Sequence, residues 1–415
     1  MNNILHWLKN TVLENRGNKQ KVKRRTLLRS KRKNESWFKY IMSVSHLWLG
    51  LLSAIIVIAV SLSGAIYAYK HQVSDLVNRK LLRVEKAGAV RQPVDSLLAH
   101  FNKNYGNATS VEIHYDERRT VLVSSRAREA AGISVYYDPY TACPVGVKNN
   151  KPDAFFAFML EFHRYLLLGE TGKQINGAAV VIFLFMLISG FVLWLPKKLK
   201  YWRNAFLIKW KAKFYRLNYD LHNVLGFYSL LLLFFIGVTG LYVSYQWMKN
   251  VIIVGLGGEP VVTTEASESV KEQLAASFSK MLGTLEKEKQ SDTLQQKITV
   301  AQMLARADSV YPFKGIQQIQ LPNAQSAAYE FTKMNHNHFA GFTVPEKITF
   351  APTGSIREVK AYSSLELHDQ FRAIAKPLHT GEIMGLWSII VYSIVSLIAC
   401  SLPITGFIIW WKKRG

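Results

Sequence analysis

The sequence predicts an all-α membrane bundle of four transmembrane helices, arranged as two parallel repeats of two, with two small α+β units on the outer face. Three observations predict it. Hydrophobic residues, 49% of the 415, are gathered in four blocks instead of being spread along the chain. The excess of Lys and Arg sits in short segments beside those blocks. The second half of the chain also repeats the residue spacing of the first.

The apolar blocks run near Leu47–Tyr69, Ile175–Leu195, Val224–Trp247 and Ile383–Trp411, and none contains Asp, Glu, Lys or Arg. Each reaches the roughly 20 residues that a bilayer crossing needs. Trp and Tyr mark their ends (Trp48, Tyr67, Tyr69, Trp194, Tyr242, Trp247, Trp410, Trp411), as interfacial belts do. The last block carries Pro403, which predicts a kink or tilt. The first 40 residues are polar, basic and too long for a signal n-region, and no small-residue cleavage site follows the first block, so that block is expected to remain as a helix.

Charge orients these spans. Net charge is +24. Residues 1–45 hold twelve Lys and Arg against Glu14 and Glu35, residues 196–219 hold eight and no acid, and residues 412–415 hold three. The long loops between are close to neutral. Basic loops stay in the cytoplasm, so the reading is a bacterial inner-membrane protein with both termini cytoplasmic. The expected order is a basic segment 1–36, a span 37–70, an outer unit 71–162, a span 163–196 and a basic loop 197–219. A span 220–248, an outer unit 249–378, a span 379–411 and a tail 412–415 follow. Basic segments this short, discontinuous and close to lipid speak for a bilayer partner and against nucleic acid.

The repeat is visible residue by residue. His46-Leu-Trp-Leu-Gly50 matches His222-Asn-Val-Leu-Gly226, and eighteen residues after each histidine stand Ser63-Gly64 and Thr239-Gly240. His163 is followed at +6, +26, +27, +31 and +34 by Gly169, Ser189, Gly190, Trp194 and Lys197. His379 is followed at the same offsets by Gly385, Thr405, Gly406, Trp410 and Lys413. In the loops, Pro93–Asp116 and Val300–Pro322 both read as a helix followed by a strand. Both loops then reach a turn, Asp138-Pro-Tyr-Thr and Ala351-Pro-Thr-Gly. The polar stretch 262–297 reads as an excursion from the second loop.

One histidine therefore begins each span. A pseudo-twofold along the membrane normal sets His46 opposite His222 on the cytoplasmic side, and His163 opposite His379 on the outer side. Two facing imidazoles are the axial set of a six-coordinate b-type haem, and a helix bundle is a common scaffold for one. Gly64 and Gly240 lie five whole turns beyond His46 and His222, on the same helix face, where a missing side chain leaves room for a porphyrin or for close helix packing. The expected cofactors are two haem b groups. There is no C-x-x-C-H and no four-cysteine set, so covalent c-type haem, iron–sulfur clusters and structural zinc are excluded. His336 and His338 are weaker metal candidates on an outer strand. From His379 to Trp411 is 32 residues, about 48 Å if wholly helical, which sets the outer pair at or above the interface as an exposed electron outlet. A break is expected at Gly169-Glu-Thr-Gly172.

These residues resemble the PepSY-associated transmembrane proteins, often described as iron-regulated membrane proteins. The resemblance rests on the His-x-x-Leu-Gly starts, the glycines after His163, the Ser/Thr-Gly-x-x-x-Trp ends and the Asp138-Pro-Tyr-Thr turn. It spans roughly 37–413, departing at Thr141-Ala142, where the family usually has Thr-Gly, and in residues 1–36. It implies PepSY-like outer modules and haem ligation by His46, His163, His222 and His379. It also implies a di-haem reductase that releases iron from ferric siderophores in the periplasm, with quinol, reduced flavin or a partner reductase as donor, since no nucleotide-binding Gly-x-Gly-x-x-Gly is present. The rivals are a haem-free binding or regulatory protein, such as a peptidase inhibitor, and a transporter.

Overall fold

The computed structural model describes residues 31–33, 35–125, 132–196, 202–261, 298–323 and 326–412. The chain begins with α1 (Trp37–Tyr67), a short α2 (Lys70–Val77) and α3 (Val94–Tyr105). Strands β1 (Ser110–Ile113), β2 (Val121–Ser124), β3 (Ser134–Tyr137) and β4 (Pro144–Val147) follow. Next come α4 (Lys151–Tyr165), α5 (Gly169–Trp194), α6 (Trp202–Ala205), α7 (Phe214–Ser244) and α8 (Gln246–Gly255). The second outer segment holds α9 (Val300–Val310), β5 (Gln317–Gln320), β6 (Tyr329–Asn335), β7 (Val344–Phe350) and β8 (Ile356–Lys360). The chain closes with α10 (Leu367–Thr380) and α11 (Leu386–Lys412). Most of the basic segment 1–36 and the 262–297 excursion lie outside the described residues.

Helices α1, α5, α7 and α11 are long and apolar enough to cross a membrane. Inside lipid a backbone must satisfy its own polar groups, which leaves the helix as the form for an isolated apolar run. α1 and α7 each pack on both α5 and α11, so α1 stands opposite α7. Leu187, Leu233, Val395 and Ala399 fill the middle of the bundle, while Leu52, Ile55, Leu231 and Leu397 point outward into lipid. Pro403 lies within α11 without ending it.

Two spans are shorter than the sequence suggested. α10 ends at Gly381 (φ 80°), a short turn follows, and Gly385 (φ 69°, ψ −149°) reverses the chain before α11. His379 therefore belongs to a separate helix, and the 48 Å helix inferred from the sequence does not exist. In the first half the break falls at Leu166 and Leu167, both left-handed, and Gly169. Gly172 is already inside α5, where any side chain would strike the Tyr165 carbonyl.

All-α holds for the bundle alone. The outer segments form one antiparallel sheet in the order β4-β3-β2-β1-β5-β6-β7-β8. The two α+β units expected from the sequence are thus fused, by β1 pairing with β5 from Ser110↔Gln320 to Ile113↔Gln317. α3 and α9 cover one face, and Leu97, Phe101, Val111, Met303, Ile319 and Phe331 make a single core beneath them. Asp95 of α3 ties the halves together, accepting from the Val300 and Ala301 amides at the start of α9, both at 2.9 Å. The Asp138 turn joins β3 to β4, and Ala142 there is left-handed (φ 58°), which is the reason a glycine suits that position. The sheet rests on the bundle at one end, where Thr343 N–H donates to the Ile383 carbonyl (2.7 Å) and Arg119 pairs with Asp75 (2.8 Å).

Candidate functional site

The four histidines form two facing pairs. His46 on α1 and His222 on α7 have ring centres 6.5 Å apart with planes at 89°. His163 on α4 and His379 on α10 have centres 6.2 Å apart with planes at 51°. Two imidazoles sharing one metal would place their ring centres about 6.2 Å apart, from bonds of about 2 Å and about 1.1 Å more to each centre. Both pairs therefore have the spacing for one ion between them.

The same device holds each ring. His46 Nδ1 meets Ser189 Oγ at 2.9 Å, and His222 Nδ1 meets Thr405 Oγ1 at 2.9 Å. Each hydroxyl spends its hydrogen on its own helix, Ser189 on the Met186 carbonyl and Thr405 on those of Ser401 and Leu402. A lone pair is left for the imidazole N–H. His163 and His379 donate from Nδ1 to the Val60 and Ile236 carbonyls at 3.0 and 3.1 Å. Ser63 Oγ and Thr239 Oγ1 stand beside them at 3.2 and 3.3 Å. In every case Nδ1 carries the proton and Nε2 keeps its lone pair for a metal, the arrangement that fixes a ligating histidine's tautomer.

Each ring also lies on a glycine. A methyl group at Gly64 would come within 3.0 Å of His163 Cε1, and one at Gly240 within 2.9 Å of His379 Cε1. At Gly190 and Gly406 it would meet His46 and His222 at 3.2 and 3.3 Å. Gly64 and Gly240 thus face the sheet-side pair and do not serve the histidines of their own helices. Gly190, Gly406 and the four hydroxyl residues were not picked out from the sequence as site residues. Their signal was available: Ser/Thr-Gly occurs at four equivalent places in the repeat.

His163 and His379 line a cavity of ≈ 380 Å³, well inside the bundle and not above it. They lie against Val60–Gly64 and Ile236–Gly240, roughly 21–27 Å along α1 from His46. Its walls are mostly apolar, with Arg164 and Lys376 among them. Asn176 Oδ1 on α5 and Ser393 Oγ on α11, both lining it, are buried without a hydrogen-bond partner. A flat apolar group bearing carboxylates fits this lining: imidazoles for its metal, glycines for its faces, and cations for its acids.

The other histidines are scattered. His336 Nδ1 meets Thr343 Oγ1 (3.0 Å) and His338 stacks edge-on with Tyr362 (centres 5.0 Å apart). They do not converge with further ligands, and among the described residues no group of three or more His, Cys, Asp or Glu is placed to hold a metal. His71 pairs with Glu382 at 3.4 Å and His114 with Glu112 at 3.2 Å. Burial alone would push the Glu112 carboxyl up, but His114, and at longer range His71 and Arg119, bring it below its ordinary value.

Comparison with curated proteins returned no match. At the level of families, residues 44–413 match the PepSY-associated TM region, a stretch that takes in all four histidines and the sheet, and the chain belongs to that family.

Proposed function

We propose that the protein is a di-haem b electron-transfer protein of the bacterial inner membrane, carrying electrons from a cytoplasmic or quinol donor to a periplasmic acceptor. The acceptor is a ferric siderophore or another ferric chelate, which makes the protein an oxidoreductase. The observation that carries this reading is the pair of facing imidazoles at 6.5 and 6.2 Å, each with Nδ1 engaged. The orientation rests on the eight basic residues of 196–219 in the sequence; those described, Arg203, Lys209, Lys211, Lys213 and Arg216, lie between α5 and the start of α7, at the end of the bundle away from the sheet.

A haem bound at each pair supplies reversible one-electron chemistry at iron. The chain's own contribution is positional. His46 and His222 would bind one iron, and His163 and His379 the other. The Ser/Thr hydroxyls and helix carbonyls hold the rings in the ligating tautomer. Leu187, Leu233, Val395 and Ala399 keep water out between the two levels. Reduction of Fe(III) to Fe(II) weakens hard-oxygen ligation in a chelate, and the metal can then leave.

A dithionite-minus-air difference spectrum with pyridine haemochrome quantitation tests this on wild type, His46→Ala and His379→Ala. The expected result is a b-type spectrum with about two haems per chain, and a loss of about one in each variant. A colourless protein, or full haem in both variants, overturns it.

A further inference from the structure

We propose that the cleft at the membrane-facing end of the β1–β5 seam binds a small multivalent anion, of the class to which carboxylate-bearing ferric chelates belong. This rests on the electron-transfer reading, because it places that reading's acceptor. The cleft has a volume of ≈ 380 Å³, and its walls include Arg91, His114, Tyr115, Phe313, Lys314 and Lys333. It lies where the two outer segments fuse, so neither segment could form it alone.

Its charge sets the ligand class. Three cations line it against one carboxylate, Asp308, which is already shared by Lys333 Nζ (2.6 Å) and Gln317 (2.5 Å). Among the described residues Arg91 donates to backbone carbonyls, of His114 (3.4 Å) and Asp116 (3.0 Å), and makes no ion pair. Lys314 is exposed and makes no ion pair among the described residues. Tyr115 and Phe313 add aromatic walls. A free metal cation is repelled from such a site, and a neutral chelate gains nothing from it.

Its position sets the role. The Ile113 and Gln317 ends of β1 and β5 lie in register with Lys333, near the Asn335↔Val344 end of β6 and β7. That end abuts Ile383 of the bundle through Thr343. Polar groups then run toward the histidine cavity. His114 meets Glu112 (3.2 Å), and His71, within electrostatic reach of Glu112, meets Glu382 (3.4 Å). Thr380 donates to Glu382 (2.8 Å) and lines the cavity beside His379. An anion in the cleft is thus joined by this row of polar side chains to the cavity that would deliver electrons to it.

Equilibrium dialysis of the full chain in neutral detergent against gallium(III) citrate tests this. Gallium is not reduced, so binding is read whether or not the protein carries a redox group. The expected result is saturable binding, about tenfold weaker in Lys314→Glu and unchanged in Lys360→Glu, which makes the same charge change on the far edge strand β8. Absence of saturable binding overturns the proposal. So does equal weakening in both variants, or equal binding of the uncharged gallium(III) tris(acetohydroxamate). Gallium binding by a chain that holds no haem overturns the electron-transfer reading and leaves the anion site standing.

Discussion

Replacing Gly240 by Ala puts the cradle under direct test. The added methyl would lie 2.9 Å from His379 Cε1, whereas ordinary contacts begin at 3.4 Å. The ring must then retreat by about 0.5 Å, a large part of the slack in a metal–nitrogen bond of about 2 Å. It cannot do so freely, because Nδ1 is held by the Ile236 carbonyl at 3.1 Å. Overpacking of this kind costs about 1–3 kcal/mol, or roughly 5- to 150-fold in cofactor affinity. Gly406→Ala is the graded comparison: there the contact with His222 is 3.3 Å and a retreat of about 0.1 Å restores it. Haem per chain and the reduced spectrum, measured at limiting haem supply, should show Gly240→Ala losing the sheet-side group while keeping the other. Gly406→Ala should stay close to wild type. If both variants hold two haems with unchanged spectra, or if Gly406→Ala is the worse, the cradle argument fails.

Two predictions concern the sheet. Asp95→Ala removes the acceptor for both first-turn amides of α9 and should cost about 1–2 kcal/mol, read as a lower unfolding midpoint of the full chain in detergent; Asp95→Asn should cost less, and an unchanged midpoint for Asp95→Ala refutes it. The Glu112 carboxyl has a folded pKa below its ordinary 4.5, so its charge stabilises the fold above pH 4.5 and that contribution is lost as pH falls through the lower folded value. Wild type should therefore melt above Glu112→Gln at pH 7, with the gap closing below pH 4.5; a gap that persists or widens in acid refutes the assignment.

The membrane part was legible because transfer into lipid writes itself as uninterrupted apolar runs, and because duplication lets offsets be counted. His46 could be set against His222 with no knowledge of the contacts between them. The sheet was less legible. β1 and β5 have four residues each, and a pattern such as Gln317-Gln-Ile-Gln320 names a face but not a neighbour. Nothing local told that the two outer segments would share an edge. The helix breaks were misplaced for a related reason. Leu166 and Leu167 adopt left-handed backbone against their own preference, in a turn closed by the Leu168 N–H on the Tyr165 carbonyl and by Asn176 on the His163 carbonyl, which composition does not record. The cradle lay between these cases. Gly64 was found by its position on the helix face, but its partner is His163, 99 residues further on, and only the closing of α4 onto α1 shows it.

Comparing the halves separates what the symmetry demands from what it leaves free. A metal between two facing residues requires the same ligand, tautomer and clearance from both, and here both halves supply His, a Ser/Thr hydroxyl and Gly at every level. On the sheet side the halves differ. His71 stands where the second half has Trp247, Asn176 where it has Tyr392, and Gly177 where it has Ser393. Tyr245 fills the space over Gly177 and bonds the Lys173 carbonyl, while the hydroxyl of Ser393 is left without a partner in the cavity. The first half contributes His71, Glu112 and His114 to the row leading toward the seam, and the second contributes Glu382 and Thr380. Equivalence is thus kept at the two facing histidine pairs, and abandoned along the row of polar groups that leads to the proposed anion cleft.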